Sequence, residues 1–146
     1  MRKHWTGLVM IVVLTAAGWV VLPAPDSQGQ GARPMDHRIF EIRTYHVHPG
    51  KMEALQARFR NHTNKLFVKH GMEIIGFWTP IDAQEAEKRL VYILAYPSKE
   101  AADKSWAAFR SDPAWQQVKD VSEKDGPLVA RIESFFVKAT DYSPIK

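Results

Sequence analysis

The sequence predicts an α+β fold of the ferredoxin-like kind, in which helices cover one face of an antiparallel sheet. Beyond residue 36 the hydrophobic pattern changes in the order strand, helix, strand, strand, helix, strand. This βαββαβ order is that of the ferredoxin-like topology. The length of 146 residues, with 45% hydrophobic and 25% charged side chains, is also typical of a chain with one globular domain.

A strand and a helix open the domain. Residues 37–47, HRIFEIRTYHV, alternate in the manner of a strand, and Pro49 and Gly50 end it. From residue 51 to residue 70 the apolar side chains recur every three or four positions, which predicts a helix about 30 Å long. Gly71 suits the left-handed conformation that closes such a helix.

The same signals recur through the rest of the domain. The segments MEIIGFWTP and RLVYILAYP predict a second and a third strand, joined as a hairpin by the acidic loop IDAQEAEK. Ser98 is suited to cap the next helix, and Asp112 with Pro113 begins another. After Gly126 and Pro127, the segment PLVARIESFFVKA alternates as a fourth strand.

The alternation of the strands also predicts what each face of the sheet carries. We expect Phe40, Ile42 and His46 to face the helices. The first and last strands should pair as antiparallel neighbours, with Glu41 and Arg43 opposite the charged pair of the last strand. The helix-free face would then be aromatic and charge-paired, so we expect a second copy of the chain to pack on it as a homodimer. The predicted interface residues are Glu41, Arg43, Tyr45, Tyr92, Arg131, Glu133 and Phe135.

The first 36 residues differ in composition from the domain. Residues 1–22 have a cationic start and an uncharged, mostly apolar stretch from residue 7 to residue 22, which is short for a membrane span. They predict a signal peptide or, if uncleaved, a signal anchor. Residues 23–36 are rich in Pro, Gly, Gln and Ser and predict a flexible linker. The domain, residues 37–146, is therefore expected to be periplasmic or extracellular, or anchored to the membrane by residues 7–22.

Charge and motifs exclude several classes of function. The formal net charge is +4, but basic and acidic side chains are interspersed, so nucleic acid is not an expected partner. The chain has no cysteine, which excludes thiolate chemistry and disulfides. It also has no P-loop, GxGxxG, serine nucleophile elbow or HExxH motif.

Four segments of the domain resemble the NIPSNAP family. In order they are FEIRTYHVHPGKMEAL, HGMEIIGFWTP, LVYILAYPSKEAADKSWAAFRSDPAWQQV and DGPLVARIESFFVKATDYSP, and the resemblance runs from about residue 38 to residue 144. It implies a dimeric α/β barrel, the architecture of antibiotic-synthesis and haem-degrading monooxygenases. It implies no particular reaction, because the family has no agreed catalytic motif, and the apolar leader is not part of its pattern.

In related barrels the ligand cavity lies between the helices and the sheet of each subunit. The resemblance therefore implies that His46, His62 and Trp78 line such a pocket, because His46 is expected to face the helices and His62 lies on the apolar stripe of the first helix. The alternative is that they are core residues with hydrogen-bond partners. No metal site is predicted from His46, His48 and His62, since His48 belongs to the turn.

The first functional hypothesis is an exported or membrane-tethered homodimer that binds a small apolar or aromatic ligand. The second is a monooxygenase-like enzyme, either cofactor-independent or haem-dependent, with His62 as base or ligand. The third is a non-catalytic dimer without a cavity. No cofactor is assigned, because no haem-attachment motif is present. An enclosed cavity of ~300 Å³ or more that touches His62 would favour the first two over the third, and its absence would count against both.

Overall fold

The structure, a computed structural model, describes residues 38–146. The predicted leader and linker, residues 1–22 and 23–36, lie outside the described residues. The strands are β1 (Ile39–Val47), β2 (Glu73–Trp78), β3 (Arg89–Tyr96) and β4 (Val129–Lys138). The helices are α1 (Met52–Arg58), a π-helical segment (Phe59–Thr63), α2 (Asn64–Lys69), the short α3 (Ala83–Ala86), α4 (Lys99–Ser111) and α5 (Pro113–Ser122).

The four strands form one sheet in the order β2-β3-β1-β4, and every neighbouring pair is antiparallel. This is the ferredoxin-like arrangement, and it confirms the predicted fold class and the pairing of the first and last strands. The predicted charge ladder is wrong, because Glu41 lies opposite Phe136 and Arg43 lies opposite Ser134. The last strand's Arg131 and Glu133 lie opposite His46 and Thr44 instead.

The predicted helix from residue 51 to residue 70 contains a π-helical turn between α1 and α2. The backbone N–H of Asn64 donates to the carbonyl of Phe59, which is five residues earlier rather than four. Such a turn holds one more residue than an α-helical turn and shifts the helix face beyond it. Gly71 then adopts φ +76° and ends the helix, as predicted.

The predicted caps of the later helices are confirmed. The Ser98 hydroxyl accepts a hydrogen bond from the backbone N–H of Ala101 at 3.1 Å and begins α4. The Asp112 carboxylate accepts one from the N–H of Ala114 at 2.9 Å, and Pro113 is the first residue of α5. These side chains satisfy backbone donors that no earlier helical turn can reach.

The face of β1 beneath the helices is the opposite of the predicted one. Glu41, Arg43 and Tyr45 face the helices, since Glu41 bonds Trp106 of α4 and Tyr45 contacts Phe59. Side chains alternate along a strand, so an error of one residue exchanges the two faces. Tyr92 of β3 is also buried beneath the helices. The helix-free face of β1 carries Phe40, Ile42, Thr44 and His46.

The hydrophobic core lies between the helices and the sheet. Its fully buried side chains include Leu55 and Phe67 from the first helical region and Tyr92 and Leu94 from β3. The strand β4 is different, because most of its side chains remain exposed. Among residues 38–146 no helix is both long and apolar enough to cross a membrane.

Candidate functional site

A cavity of about 470 Å³ lies between the helices and the sheet. Its walls come from β1, from the π-helical segment and the helices on either side of it, from α4 and α5, and from the start of β4. The volume is within the range of small-molecule sites, roughly 300–1,000 Å³. We call this space the helix–sheet cavity.

Aromatic rings form much of the lining of the helix–sheet cavity. The rings pack on one another, with centroids 4.5 Å apart for Phe109 and Trp115 and 6.0 Å apart for Tyr45 and Phe59. Paired rings of this kind give a rigid apolar wall that suits a flat or aromatic molecule. The aromatic lining residues are Tyr45, Phe59, Phe67, Phe109 and Trp115.

Arg58 is the buried cation of the helix–sheet cavity. Its side chain is 5% exposed, and its Nη1 donates to Glu123 at 2.8 Å and to Ser122 at 3.2 Å. The guanidinium carbon lies 5.2 Å from the centre of the Trp115 ring. Its Nε is buried and has no hydrogen-bond partner within residues 38–146. Glu123, the C-cap residue of α5, therefore pairs with Nη1 of Arg58. The other two guanidinium nitrogens, Nε and Nη2, donate no hydrogen bond within residues 38–146.

The π-helical turn explains how the cavity acquires these side chains. Arg58, Phe59 and Thr63 flank or belong to the turn, and all three line the helix–sheet cavity. The Thr63 hydroxyl donates to the carbonyl of Arg58 at 3.3 Å. Single π-helical turns are frequent at functional sites, because the extra residue redirects neighbouring side chains.

A buried polar network lies under α4, next to the cavity on the sheet. Glu41 accepts hydrogen bonds from Trp106 Nε1 at 2.7 Å, Tyr96 at 2.9 Å and Ser134 at 2.6 Å, as well as from Arg43. Burial by itself would raise the pKa of Glu41, but the hydrogen bonds from Ser134 and Trp106 and the positive charge of Arg43 outweigh it and lower the pKa. Glu41 is therefore held as a carboxylate.

Arg43 completes this network. Its Nε donates to the Tyr92 hydroxyl at 2.8 Å, and its guanidinium stacks 4.2 Å from the Trp106 ring. Burial, with a further contribution from Tyr45, raises the pKa of Tyr92 well above its ordinary value, so Tyr92 remains a neutral phenol. The polar groups of this network are hydrogen-bonded to one another. The network is therefore a structural element that holds the sheet in place beneath α4.

The structure does not bring the three predicted pocket residues together. His46 lies on the helix-free face, where its Nε2 is 3.0 Å from Arg131 Nη2 and 3.3 Å from Glu133. His62 is exposed and lines an outer groove of about 570 Å³ between α1 and α5. Trp78 is 49% exposed at the end of the edge strand β2. The prediction that these residues share a pocket beneath the helices is therefore wrong.

The misplacements of His46 and His62 have physical causes. His46 was predicted to lie beneath the helices because the prediction exchanged the two faces of β1. His62 was placed by a regular helical repeat, whereas the π-helical turn rotates it outward and puts Thr63 in the buried position. Within residues 38–146 no group of three His, Cys, Asp or Glu side chains is placed to hold a metal ion.

Sequence reasoning missed Arg58, Trp115 and Glu123 as a unit. Arg58 follows Leu55 by three positions and so belongs to the buried side of the helix, which is an unusual place for a charge. A charged residue on the buried side of the helix was the signal in the sequence that could have identified Arg58 as a site residue. Its pairing with Glu123 joins residues 65 apart in sequence and needs the fold to be seen.

A known protein family and several solved structures share this architecture. The NIPSNAP family model matches residues 40–144, which is well over half of the chain. The chain belongs to the NIPSNAP family. No curated protein sequence matches it. Solved NIPSNAP structures are similar to it, among them one from Agrobacterium tumefaciens and one from Burkholderia xenovorans.

The first is a NIPSNAP family protein of unknown function from Agrobacterium tumefaciens, with 22% identity and a TM-score of 0.66 over 77% of this chain and 96% of that one. The second is an uncharacterized NIPSNAP-like domain protein from Burkholderia xenovorans, with 20% identity and a TM-score of 0.64 over 75% and 90%.

The fold also extends beyond the NIPSNAP family. A cofactor-independent oxygenase from Streptomyces nogalater matches with 11% identity and a TM-score of 0.50, over 74% of this chain and 98% of that one. At this identity the likeness concerns the fold alone, and the chemistry of a shared fold lies in its site residues. The function of this NIPSNAP protein therefore has to be argued from its own cavity.

Proposed function

We propose that this NIPSNAP family protein binds a small, largely aromatic ligand in the helix–sheet cavity. The observation that carries the proposal is a space of about 470 Å³ lined by five aromatic side chains, with polar residues such as Arg58 and Thr63 among them. Small-molecule sites have this composition, in which apolar walls supply affinity and a few polar groups supply orientation. His62 is not among its lining residues, so the cavity does not meet the criterion set from the sequence, but its volume and aromatic walls support ligand binding over a purely structural dimer.

The enzyme hypothesis has less support. It relied on His62 as a base or haem ligand, but His62 lies in the outer groove, and none of the described residues that line the helix–sheet cavity is a histidine. The carboxylate of Glu123 is already paired with Arg58. Binding without catalysis is therefore the function that this lining supports best.

Self-association is a further part of the proposal. The middle of the helix-free face is apolar and open, with Ile42 and Ile93 partly exposed and Phe135 55% exposed. Of the predicted interface residues, Arg131, Glu133 and Phe135 belong to this face, whereas Glu41, Arg43, Tyr45 and Tyr92 lie beneath the helices. A second copy packed on the helix-free face would cover the exposed rings.

Export or membrane tethering also remains a proposal. It is supported by the cationic start and apolar stretch within residues 1–22 and by the linker composition of residues 23–36. A secreted or tethered ligand-binding domain would meet its ligand outside the cytoplasm.

An uncharged fluorescent probe tests the cavity. N-phenyl-1-naphthylamine, whose emission rises in apolar surroundings, should bind saturably with one site per chain. Ala130 lines the cavity and is exposed, so Ala130→Trp should fill its mouth and weaken binding at least about tenfold, a change of about 1.4 kcal/mol. Ala107→Trp, on the exposed side of α4, is the matched control and should bind as the wild type does. Binding that Ala130→Trp leaves unchanged would refute the proposed site.

A further inference from the structure

We infer that the ligand of the helix–sheet cavity carries a carboxylate, and that this group pairs with the free edge of the Arg58 guanidinium. The inference rests on the proposed ligand-binding function and names the chemical class of the ligand, an aromatic or otherwise apolar carboxylic acid.

Arg58 borders both the helix–sheet cavity and the outer groove, and one edge of its guanidinium has no acceptor within residues 38–146. Glu123 and Ser122 both take hydrogen bonds from Nη1. Within residues 38–146 neither Nε nor Nη2 donates to any group, and Nε is buried. Nε and Nη2 form the edge of a guanidinium that meets a carboxylate through two parallel hydrogen bonds.

A buried donor without a partner calls for a physical explanation. Arg58 is only 6% exposed, and buried polar groups in proteins are almost always hydrogen-bonded. The Thr63 hydroxyl and the Trp115 ring hold the backbone and guanidinium of Arg58 in place, but neither accepts a hydrogen bond from its side chain. A ligand with two coplanar oxygens would satisfy the unused edge.

The charges along the lining favour an anion. Two cations, Arg58 and Lys119, line the helix–sheet cavity with their side chains, against one carboxylate, Glu123. Arg131 also borders the cavity, but its guanidinium lies on the helix-free face beside His46 and Glu133, while Lys119 has no ion pair within the described part of the chain. The aromatic wall and this excess of positive charge together fit a flat apolar body with one acidic group.

Two probes of the same shape test the inference. Isothermal titration calorimetry of 2-naphthoate and 2-naphthamide compares an acid with its neutral counterpart. The wild type should bind the acid at least about tenfold more tightly, because a charge-assisted bidentate pair in a buried site exceeds a neutral hydrogen bond by that order. In the double variant Arg58→Met, Glu123→Gln, which removes both charges of the ion pair together, the two affinities should become equal.

Two further variants separate geometry from charge. Arg58→Lys keeps the positive charge but loses the planar fork, so the preference should fall without vanishing. Lys124→Gln removes one positive charge from an exposed residue that does not line the cavity, and its preference should equal that of the wild type.

The possible failures are distinguishable. Equal affinities for the two naphthalene probes in the wild type, or a preference that survives in the double variant, would overturn the carboxylate inference and leave ligand binding intact. Binding of N-phenyl-1-naphthylamine without binding of either probe would do the same. If none of the three compounds binds, the proposed function falls together with the inference.

Discussion

Glu41 and Arg43 are two residues apart on β1, and both are directed beneath the helices. A sequence pattern with charges at alternate strand positions normally marks a solvated face, because charged side chains are seldom buried. Here the charges pair with each other, and Trp106, Tyr96 and Ser134 donate further hydrogen bonds to the carboxylate. The network compensates for the loss of water, so burial of the pair is tolerated.

Removal of Arg43 should therefore be costly. Arg43→Met leaves Glu41 as a buried carboxylate with only neutral donors, and we expect a loss of about 3 kcal/mol in the free energy of unfolding. Urea denaturation followed by circular dichroism measures it. The double variant Glu41→Gln, Arg43→Met removes the unpaired charge and should lose less than Arg43→Met alone. If the double variant is the less stable of the two, the pair is not the source of the cost.

At the level of elements, the order and ends of the strands were predictable from the sequence, but the faces of β1 were not. Proline, glycine and capping residues act locally, so Pro49, Ser98 and Asp112 mark boundaries that need no tertiary information. In β1 both alternating sets contain apolar residues, Phe40 and Ile42 in one and Ile39 and Tyr45 in the other. Which set is buried depends on partners such as Trp106, more than 60 residues away.

The candidate site was less predictable for a related reason. A π-helical turn is one extra residue in a helix, and no composition signal in residues 59–63 distinguishes it from an α-helical turn. The pocket prediction therefore selected His62 in place of Thr63. Arg58 and Glu123 could be recognised as partners only once α1 and the end of α5 were seen side by side.

Asp112 joins two elements, the end of α2 and the start of α5. Its Oδ2 lies 2.6 Å from Lys69 Nζ and 2.7 Å from His70 Nε2, while Oδ1 caps α5. The hydrogen bond from Lys69, followed by that from His70, lowers the pKa of Asp112 well below its ordinary value. The ionised carboxylate of Asp112 therefore stabilises the folded state. This stabilisation is fully present above about pH 4, the ordinary pKa of an aspartate, and is lost as the pH falls below that value.

Asp112→Asn isolates that contribution, because asparagine is as good an N-cap as aspartate but carries no charge. The variant should have a lower Tm than the wild type at pH 6, and the difference between the two should shrink steadily from pH 4 to pH 2. Thermal unfolding by circular dichroism at several pH values measures it. A difference that grows on acidification would reverse the expected sign and rule out the ion pairs as its cause.

At the scale of the whole molecule, the sheet has two unlike surfaces. Helices cover the face with the Glu41 and Arg43 network. The helix-free face is covered at one end, where Phe40 is 6% exposed and shares a small groove with residues of the C-terminal segment, 139–145. Its other end carries the polar cluster of His46, Arg131 and Glu133. The open apolar area therefore lies between these ends, around Phe135.

The open area predicts how the chain associates. Phe135 is 55% exposed opposite Ile42, so Phe135→Glu should place a charge in the middle of a self-interface without disturbing the core. We expect the wild type to sediment as a dimer and Phe135→Glu as a monomer over the same concentration range. Val121→Glu, at a valine 66% exposed on α5, introduces the same charge elsewhere and should remain dimeric. If both variants dissociate, or Val121→Glu alone does, the interface involves the helices instead of the open sheet face. If the wild type is a monomer, self-association through the sheet is refuted.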